Sequence, residues 1–221
     1  MTTTALILVG HSPYTDPWHD DAAVGHLVAL ELAAAGLDPV LRSTMPGVLD
    51  EVDPADLALF VVKVSGGPVD DADGTWAGFQ ARLAGLLTAG VPVLALHQAG
   101  AAFGNPPAWA AAVGGHWVDG RSWHPAIGEA TFEPVDDEHP VIAGLMPFTA
   151  YDETYFDLET APGIRPLVVV RHEGAAHPVA WQGPGASKVV VDTLGHDARS
   201  FDSRGRVELL RREIAWLATT D

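Results

Sequence analysis

The chain has 221 residues, of which 12 are Lys or Arg and 29 are Asp or Glu, so its formal net charge is −17. Apolar residues make up 48% of the chain, which is typical of globular proteins and not of disordered ones. Nucleic acids and anionic membranes require a cationic protein surface, and this composition excludes both as general partners.

The sequence contains no cysteine, which excludes disulfides, thiolate metal ligands and cysteine nucleophiles. Its first residues carry no basic segment, and the apolar stretch at residues 5–10 is too short for a signal sequence. Other apolar runs are far shorter than a membrane span. We therefore expect a cytoplasmic protein, with one domain over residues 1–221.

In the N-terminal half, predicted strands alternate with predicted helices. The strands are apolar runs rich in β-branched residues, as expected when helices cover both faces of a parallel sheet. The helices show apolar residues at helical spacing, and each is followed by glycine. The predicted strands are residues 5–9, 39–42, 57–64 and 91–96, and the predicted helices are residues 21–35 and 75–89.

The second half starts with residues 104–149, which are rich in Gly, Pro and Trp and predict no long helix. Short strands within this half suggest a β-rich insertion or extension. The order of elements as a whole predicts a doubly wound, mostly parallel α/β sheet with helices on both faces. The remaining predicted strands are residues 126–135, 148–158, 164–171, 178–181 and 188–194, and the last helix is residues 203–217.

Three of the predicted strands are followed within two residues by a histidine: His11, His97 and His196. Ligands of open parallel sheets bind beyond the carboxyl ends of the strands, so these side chains are expected at one edge. Each also has a structural interpretation. His11 could close a turn, His97 could pack under a helix, and Asp197 beside His196 could cap one.

A second group consists of Asp152 and Glu153 with Tyr155 close by. Adjacent residues of an extended segment point to opposite faces, so only one of the two carboxylates can enter a given pocket. That carboxylate could act with a histidine as an acid or base. An acidic strand at a solvated edge is the alternative.

Several of these segments resemble the trehalose-utilisation (ThuA-like) family. Each motif alone is weak, but their order and spacing together are specific, and the likeness spans roughly residues 5–218. The segments are residues 93–99 (VLALHQA), 114–117 (GGHW) with His124-Pro125, 138–145 (EHPVIAGL), 152–155 (DETY) and 193–197 (TLGHD).

The resemblance implies a class I glutamine amidotransferase-like, flavodoxin-like fold and a role in catabolism of trehalose or related sugars through 3-keto derivatives. His97 stands where amidotransferases have their cysteine nucleophile, so glutamine hydrolysis through a thioester is excluded. Gln98 replaces a common serine, and Ala95 a common glycine. We expect these two differences from the family to affect which substrate binds more than how the chain folds.

Three hypotheses remain open at this stage. The first is an enzyme acting on a carbohydrate, in which a histidine or carboxylate removes the acidic C–H beside a keto group. The second is a metal-dependent hydrolase, in which those histidines with Glu153 or Asp197 hold a divalent ion such as zinc. The third is a sugar-binding protein without catalysis, and a homo-oligomer is compatible with all three.

The residues proposed as catalytic are His97, His196, Glu153 and His124, and those proposed to bind substrate are His11, Gln98, Tyr155, Trp117 and Asp197.

Overall fold

The computed structural model describes residues 3–67, 74–136, 138–185 and 188–219. Within these residues the first half of the chain alternates strands and helices, as predicted. The elements are β1 (Thr4–Val9), α1 (Asp21–Ala34), β2 (Asp38–Ser43), β3 (Leu57–Lys63), α2 (Ala77–Thr88), β4 (Val93–Leu96) and α3 (Pro107–Val113).

The second half adds mostly strands and ends in a long helix. These elements are β5 (Gly115–His116), β6 (Gly128–Pro134), β7 (Phe148–Asp152), β8 (Glu159–Thr160), β9 (Arg165–His172), β10 (Ala175–Gln182), β11 (Val189–Asp192) and α4 (Arg204–Ala218). Most boundaries differ from the predicted ones by a few residues, but the strand predicted over residues 148–158 ends at Asp152, because the chain leaves the sheet there and Glu153 turns into a loop.

Nine of the described strands form one sheet in the order β2-β1-β3-β4-β11-β10-β9-β6-β7. The first five strands of that order are parallel to one another, and each of the last four is antiparallel to the strand before it. The parallel part has the strand order of flavodoxin-like sheets, which confirms the predicted fold class. The predicted β-rich segment extends this same sheet through β6 and β7.

Two apolar cores lie on opposite faces of the sheet, because successive residues of a buried strand point to opposite sides. In β1, Ile7 packs in the core that contains residues of α1 and α4, whereas Leu8 packs in the core that contains residues of α2 and α3. Helices on both faces thus bury the continuous apolar strands that the sequence predicted.

Residues 104–149 contain a short helix, α3, that the sequence pattern did not predict. Pro107 occupies its first position, where a missing N–H costs nothing, and Gly114 ends it at a φ of 65°. Seven residues are too few for the apolar periodicity to stand out. None of the helices in the described part of the chain combines the length and apolar character needed to cross a membrane.

Candidate active site

A cavity of about 960 Å³ opens where β1, β3, β4 and β11 end. Each of these strands is followed by a loop, and the four loops meet at the carboxyl edge of the sheet, where ligands of such folds bind. Loops after β5 and β7 complete the wall. The polar and aromatic lining includes Asp16, Trp18, His19, Ser65, His97, Gln98, His116, Trp117, His124, Glu153, Tyr155 and His196.

Glu153 lies at the centre of three imidazole rings. Its Oε1 is 3.4 Å from Nε2 of His196 and 3.5 Å from Nδ1 of His124, and its Oε2 is 3.5 Å from Nε2 of His97. Burial raises the pKa of this carboxyl, but the contacts with His97 and the other two rings outweigh burial and lower the pKa below its ordinary value. Glu153 is therefore ionised at neutral pH.

The ring of His97 is completely buried and uses both of its nitrogens. Nδ1 lies 2.8 Å from the carbonyl oxygen of Thr193, which can only accept, so Nδ1 carries the hydrogen. Burial lowers the pKa of His97 to about 4, so the ring is neutral and Nε2 accepts a hydrogen bond from the Tyr155 hydroxyl at 2.8 Å. This ring holds Tyr155 in place.

The backbone at His97 is left-handed, with a φ of 56°. It turns the chain sharply between the end of β4 and the following 3-10 helix, which spans His97–Gly104. A left-handed residue other than glycine, held between a strand and a helix, is typical of functional turns such as the nucleophile elbow. The structure thus places His97 at the kind of position that the resemblance assigned to it.

Tyr155 forms the aromatic part of the cavity wall together with Trp117 and His124. Its ring centroid is 5.3 Å from that of Trp117 and 5.9 Å from that of His124. Burial, assisted by the nearby carboxylate of Glu153, raises the pKa of Tyr155 well above its ordinary value. The phenol therefore remains a hydrogen-bond donor at any physiological pH.

Asp152 faces away from the cavity and positions the loop that carries His196. Its carboxylate accepts hydrogen bonds from the backbone N–H groups of Gly195 at 2.7 Å and His196 at 3.0 Å, and from the hydroxyl of Ser200. Glu153, the next residue, enters the cavity. The two adjacent carboxylates thus point to opposite sides of one extended segment, as the sequence predicted.

The structure brings seven of the nine predicted site residues to the cavity wall. They come from loops that follow β4, β5, β7 and β11. Their assignment as catalytic or substrate-binding residues stays a prediction. The seven are His97, Gln98, Trp117, His124, Glu153, Tyr155 and His196.

His11 and Asp197 are not among the residues that line the cavity. The side chain of His11 is exposed and lies 3.2 Å from the carbonyl oxygen of Ser12, so the structure favours its turn interpretation over substrate binding. Asp197 caps a short 3-10 helix by accepting from the N–H of Arg199, and its Oδ2 lies 3.4 Å from Nδ1 of His196. The ion pair with Arg199 lowers the pKa of Asp197 to about 2.

His19 and Asp16 line the cavity although neither is among the site residues predicted from the sequence. Nδ1 of His19 is 2.7 Å from Oδ1 of Asp16, and the hydroxyl of Ser65 donates to Oδ2 of Asp16 at 2.7 Å. The available signal was an acidic residue three positions before a histidine in the loop after β1. It is a weak signal, because the approach of this loop to the one after β3 depends on the sheet order.

The parallel strand order, the cavity at the strand ends and the sharp turn after β4 define an α/β protein of the class I glutamine amidotransferase-like fold. The sequence has no cysteine, so the thioester chemistry of that class is excluded here.

Comparison with known proteins gives the family. The family model described as ThuA, trehalose utilisation, matches residues 57–217, more than half of the chain, so the chain belongs to the ThuA family. No curated protein matches the sequence significantly.

Solved structures support the fold. A ThuA-like protein from Parabacteroides merdae matches with a TM-score of 0.79 and 19% identity, covering 99% of this chain and 91% of that one. A second ThuA-like protein, from Bacteroides uniformis, has a TM-score of 0.70 and 16% identity, covering 99% and 92%. A glutamine amidotransferase from Thermotoga maritima has a TM-score of 0.64 and 10% identity, covering both chains completely.

Proposed function

We propose that this chain is a carbohydrate-catabolic enzyme that removes a proton next to the keto group of an oxidised disaccharide, in an isomerisation or elimination. The observation that carries the proposal is the position of Glu153, an ionised carboxylate within 3.5 Å of three imidazoles in a cavity of about 960 Å³. Such a cavity is of the size that encloses drug-sized ligands, and a disaccharide is of that size.

His124 is the base in this proposal. Its side chain is 39% exposed, whereas those of His97 and His196 are 0% and 11% exposed, so His124 is the ring most open to a ligand. Nδ1 of His124 lies 2.8 Å from the carbonyl oxygen of Pro125, so this nitrogen carries the hydrogen of the neutral ring. Nε2 is then the unprotonated nitrogen that takes the proton from carbon.

Glu153 acts through His124 in this scheme. Its charge, 3.5 Å from Nδ1, stabilises the imidazolium that forms when Nε2 accepts the proton. The aromatic rings of Trp117 and Tyr155 offer apolar faces to a sugar ring. The family supports a disaccharide as the substrate class, since trehalose utilisation is its description.

Hydrogen–deuterium exchange at carbon tests the step directly. The protein is incubated with the 3-keto derivative of trehalose in D₂O, and the proton signals beside the ketone are followed by NMR. We expect their loss to be catalysed, and His124→Ala and Glu153→Gln to slow it by about 10²- to 10⁴-fold, as when a general base or its partner is removed. His26→Ala, which removes an exposed imidazole from α1, is the matched control.

Two results would overturn the proposal. Exchange that proceeds equally in His124→Ala would remove this ring from the mechanism. Calorimetry that detects the keto-disaccharide bound to the wild-type protein, with no exchange and no product, would favour the sugar-binding alternative.

A further inference from the structure

His19 presents a buried ring nitrogen with no hydrogen-bond partner among the described residues. Its side chain is only 5% exposed, and Nε2 is inaccessible to solvent. Nδ1 donates to Asp16 at 2.7 Å, so Nε2 carries the lone pair of the neutral ring. A buried nitrogen that accepts no hydrogen bond lowers the stability of the folded state. A ligand bound to Nε2 of His19 would remove this loss.

The nearest groups to that nitrogen complete a set of metal-ligand types. One ring nitrogen of His19, a carboxylate oxygen of Glu153 and a ring nitrogen of His196 all lie within 4.8 Å of one another. Ligand atoms of a tetrahedral zinc site are roughly 3.4 Å apart, for bonds of ~2.1 Å. Nε2 of His196 and Oε1 of Glu153 are 3.4 Å apart, which already matches the spacing of two ligands on one zinc ion.

Each of the two imidazoles also has a carboxylate behind it. Asp16 accepts from Nδ1 of His19, and Asp197 lies 3.4 Å from Nδ1 of His196. Metal-binding histidines commonly donate their second N–H to a carboxylate, which fixes the tautomer and makes the ligand nitrogen more basic. Asp16 is itself held by the hydroxyl of Ser65 at 2.7 Å.

The charge around the set favours a cation. Three carboxylates, those of Asp16, Glu153 and Asp197, surround it. Two basic groups near the set, in the part of the chain that the structure describes, are already paired: Lys63 lies 2.7 Å from Asp21, and Arg199 forms an ion pair with Asp197.

We propose that His19, Glu153 and His196 bind a divalent transition-metal ion, with zinc as the best fit, and leave a coordination position open to the cavity. Two imidazoles and one carboxylate form a donor set of catalytic zinc sites. Magnesium and calcium prefer oxygen donors and fit less well. When bound, such an ion supplies a Lewis acid for a carbonyl or hydroxyl oxygen.

The proposal goes beyond the proposed function and can fail separately from it. Both nitrogens of His97 are occupied by Thr193 and Tyr155, so this ring is not a ligand in the present arrangement. His124, the base proposed above, is likewise left out of the set. Metal binding is measured without any sugar, and proton exchange is measured by NMR.

Zinc titration tests the site. The full-length protein is purified without a metal-affinity column, treated with a chelator and titrated with Zn²⁺ by calorimetry, and its metal content is measured after dialysis. We expect one zinc per chain, with affinity lowered at least about 100-fold in His19→Ala and in His196→Ala. His26→Ala is expected to bind zinc like the wild type, and Mg²⁺ is expected not to compete.

Asp16→Asn provides a variant that keeps all three ligands. Loss of the carboxylate behind His19 is expected to weaken zinc binding about 10- to 100-fold. Circular dichroism and thermal unfolding of each metal-free variant check that it is folded. Cobalt(II) in place of zinc adds a spectroscopic readout, since its visible absorption reports tetrahedral coordination by nitrogen and oxygen.

Two outcomes would contradict the zinc site. A folded, metal-free wild type that binds no stoichiometric zinc would overturn the proposal. So would zinc binding that survives unchanged in folded His19→Ala and His196→Ala proteins, since the ion would then occupy a different site.

Discussion

Nε2 of His97 lies 2.8 Å from the hydroxyl of Tyr155, 58 positions further along the chain. The same ring reaches the carbonyl oxygen of Thr193, a residue 96 positions away, through Nδ1. One neutral, buried imidazole thus joins the loops after β4, β7 and β11 beneath the cavity. The contribution of the His97 side chain to the free energy of unfolding and the strain of the His97 backbone can be measured separately.

Replacement of His97 by alanine is expected to lower the free energy of unfolding by about 2–4 kcal/mol, because it leaves a buried carbonyl and a buried phenol without partners. His97→Gly loses the same hydrogen bonds but accepts a φ of 56° without strain. It is expected to be about 1 kcal/mol more stable than His97→Ala. Urea denaturation of the two variants and the wild type measures both quantities. Equal stability of the alanine and glycine variants would contradict backbone strain at this position.

Asp152→Ala is expected to lower the free energy of unfolding by about 3–5 kcal/mol. The substitution strands the N–H groups of Gly195 and His196 and the hydroxyl of Ser200, all of which are buried. Ser200→Ala removes one of these hydrogen bonds and is expected to cost about 1 kcal/mol. Asp38→Ala, at an exposed aspartate, is the control. A loss below about 1 kcal/mol in Asp152→Ala would show that the loop after β11 does not depend on this carboxylate.

The buried carboxyl group of Glu213 is expected to give the free energy of unfolding an unusual dependence on pH. Burial, together with the charge of Asp192, raises the pKa of Glu213 well above its ordinary value, and Arg206 pairs with Asp192 at 2.8 Å. The native state therefore keeps a proton that the unfolded chain loses above about pH 4.3. This contribution makes the free energy of unfolding fall as the pH rises from there towards the raised native pKa.

Glu213→Gln mimics the protonated side chain and is expected to abolish this component of the pH dependence. Urea denaturation of the wild type and the variant at pH 5 and pH 8 gives the comparison. The variant is expected to gain stability relative to the wild type on going to pH 8. Glu208→Gln, in an i,i+4 ion pair with Arg212 on the same helix, serves as the control. Parallel pH profiles for wild type and Glu213→Gln would rule out a proton held by Glu213.

Trp18 lines the cavity but is 74% exposed, so its ring is available to a ligand. If the cavity takes a disaccharide, as proposed, Trp18→Ala is expected to weaken its binding about fivefold, because roughly 1 kcal/mol of apolar contact is lost. Calorimetry with a keto-disaccharide measures the change. Trp123→Ala, at a tryptophan outside the lining residues, is the comparison. Equal affinities in the wild type and Trp18→Ala would remove this ring from the binding surface.

The sequence by itself determined the class of fold and identified seven of the residues that line the cavity. Continuous apolar strands, helical periodicity and glycine stops depend on local contacts and on burial, which a linear pattern records. Because the carboxyl ends of parallel strands meet at one edge, His97 and His196 could be assigned to a shared site from their positions after strands. The exclusion of thioester chemistry likewise needed only the absence of cysteine.

Only the tertiary structure decided which side chains meet. His11 lies two residues after β1 but bonds within its own turn, whereas His19, eight positions later, reaches the cavity, and its ring centroid lies 4.5 Å from that of His196. Likewise, Asp152 and Glu153 are neighbours in the chain, yet one holds a loop and the other faces three imidazoles. The physical reason is that the path of a loop and the burial of a polar group depend on partners far away in the chain, which no local pattern encodes.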